Sequence, residues 1–156
     1  MKKLFLVVMG IVALCACKGE REYLDFRGLS MGMPAKAMCD SLLARGFELD
    51  SNLTDENVFV LTNAEDHSRV DIKFVNDTIN DILESYAASY NDSTIGIYNA
   101  RHKEYTDRYG WCNMKRNADL HKEANFQVGD KGGLMLILHN TYSPTVSIHY
   151  STEIIK

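Results

Sequence analysis

The sequence predicts a single α+β domain in which two helices pack on an antiparallel sheet. Three observations lead to this class. Apolar residues recur at helical spacing in two stretches, 34–45 and 92–109, and each stretch is followed by a glycine. Short runs that alternate apolar with polar residues, as half-buried strands do, follow each stretch. A chain of 156 residues, 46% hydrophobic and 24% charged, suffices for one such core.

The first sixteen residues are predicted to be an export signal rather than part of the fold. Lys2 and Lys3 precede an apolar run that is shorter than the ~20 residues needed by a membrane-spanning helix. Leu14-Cys15-Ala16-Cys17 resembles the lipobox of bacterial lipoproteins, whose signal is cut before an acylated cysteine. This resemblance implies lipidation at Cys17. The stretch 18–25 is short and charged, so we expect a lipidated tether over 17–25 and a folded domain over 26–156.

The charge balance indicates how the mature chain reaches a membrane. The signal contains two lysines and no acidic residue, so its removal leaves a chain more acidic than the −4 of the whole sequence. An acidic surface excludes nucleic acid as a partner and disfavours anionic headgroups, so attachment depends on the lipid. Lys18 stands where lipoproteins retained in the inner membrane carry aspartate, so we expect an outer-membrane anchor in the cell envelope.

The first helix is predicted from its ends and from one apolar face. Pro34 suits the first helical position, because its missing N–H would be unbonded there in any case. Gly46 suits a left-handed cap, after which Phe47 can fold back on the last turn. The residues at three- and four-residue spacing are Ala35, Met38, Cys39 and Leu42.

Two β-type runs, 58–61 and 70–74, come next, and Asn76-Asp77 is typical of a tight hairpin turn. Residues 78–90 fit either a helical stripe or a strand. We favour the strand, because pairing through the adjacent turn costs little loop entropy.

A second helix is predicted to start at Asp92-Ser93 and to end at Tyr109, before Gly110. Residues 112–125 are polar without a clear period, which predicts a loop. Leu134–Asn140 and Thr145–Ser151 are expected to form a closing hairpin. Its predicted register puts three leucines, at 134, 136 and 138, on the face that carries Val146, Ile148 and Tyr150.

The two helix ends share a short motif. Arg45-Gly46-Phe47 and Arg108-Tyr109-Gly110-Trp111 each combine a basic residue, a glycine and an aromatic residue, and β-type segments follow both. The motif favours a tandem repeat of a helix-plus-strands unit.

The stretch from Phe26 to Pro34 (FRGLSMGMP), the short helix and Leu43-Ala-Arg-Gly-Phe47 resemble two groups of small proteins. One is the SmpA/OmlA-type outer-membrane assembly lipoproteins, and the other shares the tandem-repeat fold of beta-lactamase inhibitory protein. Lipoproteins of Gram-negative gut bacteria with a second helix ending in Tyr-Gly are similar as well. The resemblance implies a helix on an antiparallel sheet, and no binding residue can be carried across.

No catalytic, cofactor or metal site is predicted. The Gly-x-Ser-x-Gly and His-Glu-x-x-His motifs are absent from the sequence. His139 and His149 are expected to lie diagonally on one face of the closing hairpin, where two imidazoles alone make a weak zinc site. Cys112 would need a histidine brought near by the fold, and nothing in the sequence argues for one.

Tyrosine is enriched, with eight residues in the chain. Tyr86, Tyr90, Tyr98 and Tyr105 are candidates for a partner surface, because tyrosine presents an apolar ring with a polar tip; packing at core edges is the alternative. We therefore expect a non-catalytic envelope module that binds a protein or assists assembly. A glycan-binding or hydrolytic accessory lipoprotein is the alternative from another class.

Cys39 and Cys112 are the thiols that remain after processing, in a compartment that permits oxidation. A disulfide would form if the two helices lie side by side, whereas an unpaired buried thiol is the other expectation for Cys39.

Overall fold

The computed structural model describes residues 23–87, 91–118 and 120–153. The predicted signal, Cys17 and most of the tether lie outside the described residues. The helices are α1 (Ala35–Leu43) and α2 (Asn91–Tyr109). The strands are β1 (Asp25–Phe26), β2 (Leu29–Ser30), β3 (Glu48–Leu49), β4 (Val58–Asn63), β5 (Ser68–Val75), β6 (Thr78–Ala87), β7 (Asn113–Ala118), β8 (His121–Gln127), β9 (Gly133–His139) and β10 (Thr145–Ser151).

Eight of these strands form one antiparallel sheet in the order β3-β4-β5-β6-β10-β9-β8-β7, and β1 pairs with β2 separately. The first four strands follow α1 in the chain and the last four follow α2. The two sets meet where β6 pairs with β10. The predicted α+β class is therefore confirmed, with the sheet as the larger part.

Local sequence accounts for the central hairpins. Asn76 and Asp77 both adopt positive φ, 50° and 61°, which is the conformation of a two-residue hairpin turn. The favoured strand after this turn is confirmed over Thr78–Ala87, and residues 88–90 are outside the described part. The predicted register of the closing hairpin is also confirmed, since Ile148 lies opposite Leu136 and Tyr150 opposite Leu134.

Helix α1 buries the predicted stripe of Ala35, Met38, Cys39 and Leu42. Its first turn is capped from the β5–β6 turn: the Asp77 backbone carbonyl accepts from Ala35 N, and its side-chain Oδ1 accepts from Lys36 N, each at 2.9 Å. At the other end Gly46 has a φ of 87°, and Phe47 N donates to Leu42 O. Sequence and structure agree closely here.

The predicted loop over 112–125 is wrong. It contains β7, at the edge of the sheet, and most of β8. An edge strand has one neighbour, so it has little need for an apolar pattern, and Lys115 and Arg116 give it the charges that discourage pairing with other chains. A register shift between Met114 and Arg116 further blurs its period.

The folded domain begins before the predicted boundary at residue 26. Leu24 is buried in the core and β1 begins at Asp25, so the final residues assigned to the tether belong to the fold. Arg108 Nη2 of α2 donates to Asp25 Oδ2 at 2.7 Å, which ties this first strand to the second helix.

Candidate functional site

The two faces of the eight-stranded sheet differ in their neighbours. Side chains alternate between faces along each strand. We define the helix-side face by Glu84, Tyr86, Leu136, Ile148 and Tyr150. Helix α2 contacts this face, since Tyr105 packs edge-on against Tyr150 with ring centroids 6.5 Å apart. We define the outer face by Leu83, Ser85, Met135, Ile137, Ser147 and His149, which point the opposite way.

The helix-side face holds a buried carboxylate at its centre. Glu84 lies on β6 between Val70 and Ile148, with 1% of its surface exposed. Arg27 reaches it from the β1–β2 turn, and its Nε donates to Glu84 Oε1 at 2.7 Å. The turn positions Arg27 through positive φ at Arg27 and Gly28. A charge buried this deeply is tolerated because a cation and several hydrogen bonds compensate it.

Tyrosine hydroxyls complete this network. Tyr86 OH donates to Glu84 Oε1 at 2.9 Å, and Tyr150 OH donates to Oε2 at 3.4 Å. Tyr105 OH bonds Tyr150 OH at 2.7 Å. Burial raises the pKa of Tyr86 to about 12 and raises those of Tyr105 and Tyr150 further above the ordinary range, so all three remain protonated at neutral pH. Their hydroxyls act as structural hydrogen-bonding groups.

A mixed-charge cleft of about 630 Å³ opens beside this network, lined by Arg27, Arg45, Phe47, Asn63, Glu65, Asp66 and Arg101. Its cations already have acceptors. Arg27 Nη2 donates to Asp66 Oδ2 at 2.8 Å, Arg101 pairs with Glu104 at 2.8 Å, and Arg45 Nη1 donates to the Arg27 carbonyl at 2.7 Å. These internal pairings explain the arginines as structural residues.

The predicted tyrosine surface is therefore wrong for the residues that the structure describes. Tyr86, Tyr98 and Tyr105 are 3–5% exposed, and Tyr90 lies outside the described residues. The rings pack in the core, and the hydroxyls of Tyr86 and Tyr105 bond buried polar groups. Tyrosine enrichment here serves the core, which was the alternative interpretation.

A different site lies at the end of α2. Gly110, with a φ of 85°, reverses the chain so that Cys112 returns along the last turns of the helix. Cys112 Sγ lies 3.4 Å from His102 Nε2. A bridge to Cys39, one of the two expectations for these thiols, is not formed, since both cysteines are free and buried. The sequence alone does not show the pair, because it arises from the path of the chain after the helix; the one signal in the sequence is a histidine two turns before the terminal glycine.

A cleft of about 460 Å³ adjoins this pair; it is lined by Tyr98, Asn99, His102, Lys103, Thr106, Trp111, Cys112, Met114 and Lys122. Trp111 is 83% exposed beside it. At the matching position after α1, Phe47 is only 5% exposed. The related helix ends thus place one aromatic side chain in the core and the other in solvent.

The outer face has an apolar centre and a polar border. Leu83 lies opposite His149, which in turn lies opposite Met135, and Ser147 lies opposite Ile137; all five are half-buried. Charged residues border them on β5 and β8: Arg69, Asp71, Lys73 and Glu123. Burial is the main cause that lowers the pKa of His149, with Lys73 acting in the same direction and Asp81 opposing it, so this imidazole is neutral at pH 7.

His139 and His149 share the outer face as predicted, but they are not diagonal neighbours. His139 lies opposite Thr145 rather than diagonally across from His149, and its ring contacts His121 with centroids 4.7 Å apart. Among the described residues, no group of three or more histidine, cysteine, aspartate or glutamate side chains could hold a metal ion.

In the described part of the chain, neither helix has the length and apolar composition needed to cross a bilayer. Comparison with protein-family models, with curated proteins and with solved structures finds no match for this chain.

Proposed function

We propose that this chain is a non-catalytic lipoprotein of the cell envelope that binds a protein partner through the outer face of its sheet. In this proposal both helices cover the helix-side face, and the two helix-plus-four-strand units form a tandem repeat. The observation that carries the proposal is the apolar centre of the outer face, surrounded by charged residues on neighbouring strands. Protein interfaces commonly have this anatomy of an apolar core and a polar rim.

The element order supports the tandem arrangement. Each helix precedes four antiparallel strands, and the two four-stranded sets join through β6 and β10. The buried side chains of α1 belong to the same core cluster as Val70 and Ile72, which share the face of Glu84. The resemblance to assembly lipoproteins and to the fold of beta-lactamase inhibitory protein stays a prediction that agrees with this arrangement.

The composition of the outer face supports a folded protein as the partner. Leu83 on β6 and Met135 and Ile137 on β9 offer apolar contact on either side of β10, while Ser85 and Ser147 leave room for side chains from the other surface. Arg69 and Asp71 are joined by two hydrogen bonds of 2.7 and 3.0 Å, so the border presents both charges in fixed positions. Such a rim provides specificity more than affinity.

The proposal includes a lipid anchor at the N-terminus of the mature chain. Lipidation at Cys17 would leave a short segment between the lipid and Leu24, the first buried residue of the described part of the chain. The protein would therefore meet partners close to the membrane that holds it, which we propose is the outer membrane.

Photo-crosslinking in living cells tests this function. A photoreactive side chain in place of Ser147, at the centre of the outer face, should give one dominant adduct with another envelope protein. The same side chain in place of Leu53, an exposed loop residue, is the control and should not give that adduct. Identical adducts from both positions, no adduct from position 147, or an adduct with a second copy of this chain would contradict the proposal.

A further inference from the structure

The thiol–imidazole pair in the cleft beside α2 is a feature that the outer face does not explain. We propose that Cys112 is a reactive thiol that forms a mixed disulfide with small-molecule disulfides, and that His102 is the base that takes its proton. The group carried would be a low-molecular-weight thiol of the cysteine or short-peptide class.

The position of His102 is fixed by its neighbours. Its ring stacks on Tyr98 at 5.9 Å and meets the edge of Phe126 at 5.8 Å. Its backbone carbonyl accepts from Thr106 Oγ1 at 2.7 Å. The imidazole is therefore held with Nε2 3.4 Å from Cys112 Sγ, within the reach of proton transfer on a slight approach.

The cleft offers suitable contacts for a small thiol. Trp111 and Met114 present apolar surface, and Asn99 and Lys122 present polar groups that suit amides and carboxylates. Tyr98 adds a hydroxyl that is buried and has no hydrogen-bond partner among the described residues. Burial is the main cause that raises the pKa of Tyr98 to about 12, so this hydroxyl, in the same cleft as Cys112, stays protonated at neutral pH and can donate.

Cys39 provides a contrast within the same chain. It is buried in the face of α1 that joins the core, and burial and then Asp40 raise the pKa of its thiol. Burial also raises the pKa of Cys112. A buried thiol of this kind reacts at neutral pH only when a neighbouring base accepts its proton, and His102 supplies one to Cys112.

The step is a thiol–disulfide exchange. Cys112 Sγ attacks one sulfur of the small disulfide while His102 Nε2 accepts the thiol proton. A new Sγ–S bond forms and the S–S bond of the small disulfide breaks. The departing thiolate takes the proton back from His102 and leaves as a free thiol. Cys112 is oxidised, and the small disulfide, which is the oxidant, is reduced.

The test uses the full mature lipoprotein in detergent with glutathione disulfide as the probe. Peptide mass spectrometry should find the adduct on Cys112 and not on Cys39, and a reductant should remove it. Trp111 is the chain's only tryptophan, so its fluorescence should change as Cys112 is loaded and should not change in Cys112→Ser. Loading of Cys112 no faster than of Cys39 would overturn the proposal.

The His102→Gln variant tests the base. Loading at pH 7 should slow by about tenfold or more, and the deficit should narrow as the pH rises, because a growing share of the thiol then ionises without a base. His121→Gln, a change outside the cleft, is the matched control and should load normally. An unmodified Cys39 shows that a variant is folded. A folded His102→Gln variant with the normal rate would overturn the proposal. If that variant unfolds, the pH dependence of the wild-type protein decides. A wild-type loading rate that falls about tenfold per pH unit below pH 9 would overturn the proposal, because a thiol without a base behaves in this way.

Discussion

Adjacent residues of β6 show how differently the two faces of the sheet use polar groups. Glu84 is buried on the helix-side face and is bonded to Arg27, Tyr86 and Tyr150. Leu83 points the other way and is half-buried beside His149, on a face whose charges remain near solvent. Buried polar groups with complete bonding position elements and stabilise the fold, whereas a mixed face with an apolar centre suits a partner.

The largest effect is expected from removal of the buried carboxylate. In Glu84→Ala, Arg27 loses its principal anion and two tyrosine hydroxyls lose their acceptor. We expect the free energy of unfolding to fall by about 3–5 kcal/mol, measured by denaturant titration. Asp40→Ala, which removes an exposed i,i+4 partner of Lys36, is the control and should cost less than about 0.5 kcal/mol. Equal effects of the two changes would show that the buried network is not structural.

Alkaline pH should weaken the helix-side face. The folded pKa of Tyr86, about 12, lies above the ordinary value of 10.0, and burial also raises those of Tyr105 and Tyr150. Their contribution to stability is thus complete below pH 10 and is lost as pH rises towards the folded values. The melting temperature should fall between pH 10 and 12. Tyr150→Phe should reduce stability by about 1 kcal/mol at pH 7 and make this alkaline decline shallower. If the melting temperature of Tyr150→Phe falls with pH as steeply as that of the unchanged protein, the structural role assigned to the Tyr150 hydroxyl is contradicted.

Acidic pH should have a smaller effect on stability, and this effect should arise from His149 on the outer face. The folded pKa of His149 is lowered from 6.5, first by burial, so the unfolded chain takes up its proton first as pH falls. Stability that is complete above pH 6.5 should therefore decline as the solution is acidified towards pH 5. His149→Gln should flatten this part of the curve in a calorimetric series. A parallel curve for His149→Gln would exclude this histidine as the source.

The elements predicted correctly were those specified by neighbouring residues. The apolar stripe of α1, the Asn76-Asp77 turn and the alternation of β9 and β10 all depend on contacts close in sequence or on one simple period. β7 was missed because an edge strand needs few apolar residues. Its polar sequence resembles that of a loop.

The candidate sites were harder to predict, because they depend on distant parts of the chain. Glu84 and Arg27 are 57 residues apart, and nothing in the alternation of β6 marks Glu84 as buried. The tyrosines were recognised as important, but their pattern did not distinguish a core from a surface. His102 and Cys112 meet only because Gly110 reverses the chain after α2.

The most direct test of the account compares two substitutions at adjacent positions, Leu83→Lys and Glu84→Gln, for stability and for the crosslink from position 147. A lysine at position 83 can pair with Asp71 on the next strand, so the free energy of unfolding of Leu83→Lys should change by less than about 1 kcal/mol, while the adduct is lost. Glu84→Gln should lower the free energy of unfolding by about 1–3 kcal/mol yet retain the adduct at temperatures where it is folded. A folded Leu83→Lys variant that crosslinks as well as the unchanged protein would contradict the assignment of the outer face as the binding surface.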